Sequence, residues 1–160
     1  MIPEKEIEAR IIGMVNALGV EGLGATGAWD GLASELSGGA KVKLGNPPVI
    51  ATVEVSSPEY QSQTVPTAQF ACSITLEAHK VLDKGGKTLT EAVKALSSLL
   101  HRLQLDVDCE HGGGFEIEGC FTPAGIAVVG DGGLRKEYDD DGVAVWTYSR
   151  TFTLIGYIEN

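Results

Sequence analysis

The densest cluster of chemically useful residue types is Asp106-Val107-Asp108-Cys109-Glu110-His111. It combines carboxylate, thiolate and imidazole, the ligand set of zinc and other transition metals. Read as an extended segment, alternation divides it: Asp106, Asp108 and Glu110 face one way, Cys109 and His111 the other. A tetrahedral site would need Cys120 or His101 to converge, and the spacing matches no short ligand pair of a structural zinc site. A solvated loop following a helix is the expectation. Asp139-Asp140-Asp141-Gly142 lacks the alternating ligands and closing glutamate of a calcium loop and reads as a charged hairpin turn.

Two further stretches have the look of phosphate binders. Gly22-Leu23-Gly24-Ala25-Thr26-Gly27 matches GxGxxG. A dinucleotide site needs those glycines between a strand and a helix, so that the pyrophosphate meets backbone N–H groups at the helix start. Here an amphipathic helix is expected before them, with no βαβ unit after, so a glycine-rich loop is the expectation. Gly86-Lys87-Thr88 follows an expected strand and opens an expected helix. The full phosphate-loop motif requires a glycine five positions before Gly86, and Val81 stands there. His79, His101 and His111 have no carboxylate or nucleophile partner at a useful spacing. Cys72, Cys109 and Cys120 are odd in number and far apart, with no CxxC, which points to reduced thiols. No set of residues completes a catalytic constellation. The chain is expected not to be an enzyme, and to carry no cofactor and no metal.

The elements that would position these residues follow from periodicity. Ile7, Ile11, Val15 and Leu18 predict a helix over 4–18, with Pro3, Glu4 and Glu6 suited to its start and Gly19 to its stop. Residues 19–48 have no sustained period and read as a long Gly-rich loop, with a short helical turn around Trp29–Leu36. Alternation predicts strands over 49–56 and 69–81, the second with Phe70, Cys72, Ile74, Leu76 and Ala78 on one face. Residues 57–67 are a polar excursion between them. Asp83–Lys87 reads as a turn. Thr88 and Glu91 form a capping box for a helix over 89–103, whose buried face is Val93, Leu96, Leu100 and Leu103. Strands are expected over 114–129 and 143–157, joined by a Gly- and Asp-rich tip at 130–142. In the last strand Trp146, Tyr148, Phe152 and Leu154 share a face suited to packing. The order predicts one α+β domain over 1–160, an antiparallel or mixed sheet of four to five strands with two helices on one face.

Composition bounds the remaining classes. The chain has 160 residues, 43% of them hydrophobic, enough for a core. No apolar run approaches the ~18 residues of a membrane span. Met1-Ile2-Pro3-Glu4-Lys5-Glu6 lacks the basic and apolar regions of a secretory signal, which predicts folding in a cytoplasm. The net charge of −10 repels nucleic-acid phosphates.

The arrangement resembles the tail terminator proteins of tailed bacteriophages, particularly those of Mu-like prophages. The resemblance is carried by the helix Glu4–Leu18 and a loop, then the strand pair Val49–Ser56 and Gln69–Val81 around the Ser57–Thr67 excursion. The helix Thr90–Leu103 follows, and a closing strand runs Val143-Ala144-Val145-Trp146-Thr147-Tyr148-Ser149-Arg150-Thr151-Phe152-Thr153-Leu154. It implies a structural virion protein that folds in the bacterial host cytoplasm. Such a protein forms a ring, commonly a hexamer, on the head-proximal end of the tail tube. Its partners would be copies of itself, tail tube or sheath proteins and head connector proteins, with DNA passing through and not specifically bound. A ring of this kind closes by head-to-tail contact. The polar excursions are the expected contact arms: Glu59, Tyr60 and Gln61 in one, Arg135, Lys136 and Tyr138 in the other, with Asp139, Asp140 and Asp141 as an acidic lumen surface. Two other classes fit the same sequence, a different α+β phage adaptor or head–tail connector, and a small nucleotide- or metal-binding enzyme.

Overall fold

The computed structural model describes residues 2–27, 48–60, 67–79, 83–108, 115–128, 133–138 and 140–158. Helix α1 spans Pro3–Asn16 with proline in its first turn beside Glu4 and Glu6. There proline loses no hydrogen bond, and the carboxylates meet the positive helix end. Ile7, Glu8, Ile11 and Val15 are its buried stripe. Ala17 N–H donates to Gly13 O at 2.9 Å to close the last turn.

The strands are β1 Leu23–Gly27, β2 Val49–Val55, β3 Glu59–Tyr60, β4 Thr67–His79, β5 Phe121–Val128, β6 Leu134–Tyr138 and β7 Ala144–Ile158. Helix α2, Asp83–Asp108, lies between β4 and β5. The sheet is mixed and, among the described residues, has seven strands, more than the four to five expected. Its path is β1-β2-β4-β7-β5, with β3 added to β4 and β6 to β7. All adjacent pairs are antiparallel except β1 with β2.

Its spine is the antiparallel pair β4–β7, in register from Thr67↔Tyr157 to His79↔Val145. Since β7 occupies one edge of β4 along its length, β2 and β3 share the other. By the same reasoning β5 and β6 share the outer edge of β7. β1, β2 and β6 therefore sit at one end of the spine, β3 and β5 at the opposite end.

Period-2 alternation gives the sheet two unlike faces. Val49, Ala51, Val53 and Val55 lie across from Ala78, Leu76, Ile74 and Cys72, and all are buried. Both helices cover this face, α1 on β1 and β2, α2 on β4 and β5. The core continues through Leu96, Leu100 and Leu103 of α2 to Phe121 and Phe152. Phe70 meets Phe121 edge to face, centroids 5.4 Å apart. The opposite face carries hydroxyls, with Thr75 and Ser149 oxygens 3.1 Å apart across the spine.

Several expectations on local structure are corrected. The 19–48 loop contains β1, because Leu23 and Ala25 pack on the core while Leu23–Gly27 ladder with Val49–Val53. The 57–67 excursion contains β3 and the 130–142 tip contains β6, each recruited by a neighbouring long strand. The Asp83–Lys87 turn is helical, and α2 extends beyond 89–103 at both ends. Thr88 is consequently inside the helix and caps nothing: its hydroxyl donates to Glu21 O at 3.3 Å. Thr90 Oγ1 donates to Gly86 O at 2.9 Å, one turn back. These two bonds offset part of the helix penalty of Gly85 and Gly86, about 1 kcal/mol each. The 114–129 strand shortens to β5, because the chain turns at Glu118–Cys120 and closes on itself through the Ile117↔Phe121 bridge. The turn proposed around Trp29–Leu36 lies outside the described residues. No helix among the described residues is long and apolar enough to cross a membrane.

Candidate assembly surfaces and the fate of the motif residues

The two glycine motifs, some sixty residues apart in sequence, meet in space. Gly22 has φ +88°, and a Cβ there would lie 2.9 Å from Thr88 Oγ1. Both constraints select glycine, one through backbone conformation and one through space. Glu21, Gly22, Pro48, Lys87, Thr88 and Glu91 line a cleft of about 270 Å³. Its two carboxylates outnumber its single ammonium, and the Thr88 hydroxyl is committed to Glu21 O. That is a poor phosphate cradle, which needs converging N–H donors and positive charge. Gly24 and Gly27 are strand residues whose backbone ladders with β2. A Cβ on Gly27 would run into the carboxylate of Glu8, which is 2% exposed. Gly22 and Gly27 of GxGxxG are thus accounted for by packing.

The ligand-rich stretch is split differently from the expectation. Asp106 and Asp108 belong to α2, so the extended alternation assigned to them does not hold; Cys109, Glu110 and His111 lie outside the described residues. His101 is exposed on α2, and His79 ends β4. Among the described residues no three His, Cys, Asp or Glu side chains gather closely enough to hold a metal ion. Cys72 and Cys120 are both buried. Burial pushes the Cys72 thiol up to about 12 from 9.0. This is the inert state of a cysteine in apolar surroundings.

Of the residues assigned to contact arms, Glu59 and Tyr60 form β3 and are exposed, Tyr60 by 64%. Arg135, Lys136 and Tyr138 lie on β6, where every position is exposed. Lys136 Nζ sits 5.5 Å from the Tyr138 ring centroid and 5.6 Å from that of Trp146. This geometry holds an exposed cation over aromatic faces. Asp140 and Asp141 are exposed in the turn that Gly142 completes; Gln61 and Asp139 lie outside the described residues. β3 and β6 occupy diagonally opposite corners of the sheet, on different edges and at different ends. Between them the hydroxyl-bearing face has two shallow clefts of about 350 and 370 Å³. Glu54 lines the first; Glu77, Arg135 and Glu137 line the second.

Two residues escaped sequence reasoning. Glu8 flanks the apolar stripe of α1 and was legible only as a helix surface residue, because Gly27, the residue it abuts, is supplied by tertiary structure. Arg150 shares the core face of β7 with Tyr148 and Phe152, which strand parity alone would reveal. Its Nη1 reaches Tyr148 Oη at 3.3 Å and Ser97 Oγ at 3.4 Å, while its Nε is buried without a hydrogen bond. A comparison with protein-family models finds no match, and a comparison with curated proteins finds none either.

Proposed function

We propose that this protein is a structural assembly component that closes into a ring of identical subunits, in the manner of a phage tail terminator. On this reading it caps the head-proximal end of a tail tube and offers a docking surface to the head connector. The observation that carries the proposal is the pair of unlike exposed contact elements, β3 with Tyr60 and β6 with Tyr138, at diagonally opposite corners of one sheet. Closed rings require heterologous contacts, in which one subunit's patch meets a different patch on the next. Exposed tyrosines on short edge strands supply large contact area at low entropic cost. The excess of acidic charge, −10 over the chain, suits a channel through which DNA slides without adhering.

The test is mass by light scattering together with electron microscopy, alone and with a phage tail tube protein. The expected outcome is a discrete ring that binds one tube end and halts elongation. A chain that stays monomeric in both conditions and leaves tube length unchanged would overturn the proposal.

A further inference from the structure

At the end of the sheet that holds β6, the strand order is β1-β2-β4-β7-β6, so β1 and β6 are its two outer strands among the described residues. Among the described residues β1 pairs only with β2, and β6 only with β7. Open strand edges present unpaired N–H and C=O groups and are templates for further pairing. From the geometry of these edges we infer that β6 of one subunit adds to β1 of the next, so that the sheet continues across the subunit boundary. The inference rests on the self-assembly proposed above and assigns the neighbour's β1, not β3, as the surface that receives β6; β3 is then left for the other partners of the ring.

Four features agree. The first is direction: β1 is parallel to β2, and each of the steps β2–β4, β4–β7 and β7–β6 is antiparallel, so β6 runs opposite to β1. Rotation about an axis along the strands preserves direction, and the new pair is then antiparallel, the more stable kind. The second is length, since both strands have five residues. The third is face. Full overlap sets Leu134 opposite Gly27, Lys136 opposite Ala25 and Tyr138 opposite Leu23. Leu23, Ala25 and Gly27 lie across from the buried-face residues Val49, Ala51 and Val53, while Leu134, Lys136 and Tyr138 lie across from Tyr148, Trp146 and Ala144. Both sets therefore point to the helix side, and a slip by one residue would set them on opposite faces. The fourth is bulk: large side chains on β6 meet the small residues Gly27 and Ala25 on β1. Because β1 and β6 differ, the contact is heterologous and propagates in one sense until it closes.

Cross-linking tests the pairing. Directly opposite residues of an antiparallel pair have Cα atoms about 4.5–5.5 Å apart, within disulfide range. In a Cys109→Ser background, Ala25→Cys combined with Lys136→Cys should give, on mild oxidation, a disulfide ladder ending at the ring size. Mixing the two single variants should give only heterodimers. Thr26→Cys with Arg135→Cys reads the same register from the opposite face and serves if the first pair does not fold. Ala25→Cys with Glu137→Cys, on opposite faces, should cross-link at least tenfold more slowly. Oligomers by light scattering without cross-links at either matched pair would overturn the edge pairing while leaving the ring intact. A monomer that forms no cross-link at any concentration would overturn both.

Discussion

Replacing Gly27 by alanine tests whether the last glycine of GxGxxG serves packing. An added Cβ would collide with the Glu8 carboxylate, with Glu8 Cγ 2.9 Å away, and Glu8 is 2% exposed on the core side of α1. The carboxylate must move. Overpacking of a well-filled site costs about 1–3 kcal/mol. A net loss of that size is expected, roughly 2–4 °C in Tm per kcal/mol for a chain of this size. The assay is urea denaturation followed by tryptophan fluorescence, with a double-mutant cycle on Glu8→Ala. In the double variant the shortened side chain leaves room for the methyl group, so the two changes should be non-additive by about 1–3 kcal/mol, the double variant being more stable than the sum predicts. Gly13→Ala, with open space around its Cβ in α1, is the control and should stabilise by about 0.5–1 kcal/mol. Additive effects at positions 8 and 27, or a neutral Gly27→Ala, would refute the reasoning and return the glycine to some role other than packing.

Three further outcomes are expected. Gly156→Ala should destabilise by about 2–4 kcal/mol in urea melts, because its Cβ would strike the Thr122 backbone oxygen and the Phe121 ring, while Gly125→Ala on β5, with nothing near, should change stability by less than about 1 kcal/mol. Since the Cys72 thiol titrates at about 12 when folded and near 9.0 when unfolded, the folded state holds the extra proton between those values. Its contribution is present below pH 9 and falls by about 1.4 kcal/mol per pH unit from there toward 12, a slope that Cys72→Ala should remove in melts across that range. If the acidic turn lines a ring lumen, changing Asp139, Asp140 and Asp141 to asparagine should slow DNA ejection in a phage assay while ring mass stays constant; unchanged ejection would remove these residues from the lumen.

What was legible in the sequence was what local periodicity controls. The apolar stripe Ile7-Ile11-Val15 specifies α1, and the alternation through Phe70, Cys72, Ile74, Leu76 and Ala78 specifies β4, because each pattern suits one backbone period only. The strand at the C-terminus followed in the same way, as did the coarse α+β class with both helices on one face. Leu23–Gly27 had no such signature: its two glycines weaken the alternation, and it is a strand because β2 and the core offer it a ladder and a surface. β3 and β6 are likewise short segments of low intrinsic preference, made strands by the long neighbours they pair with. Inside the longer α2, Thr88 reaches Glu21 O, a contact between residues 67 apart in the chain that no local pattern records. The rejection of a phosphate loop at Val81 needed only the sequence. The reasons for glycine at 22 and 27 needed Thr88 and Glu8 beside them, because steric exclusion acts through space and leaves no trace in local order. Edge strands, and with them the surfaces through which copies of this chain could join, are a property of the assembled sheet, since an edge exists only once every other strand has found its partner.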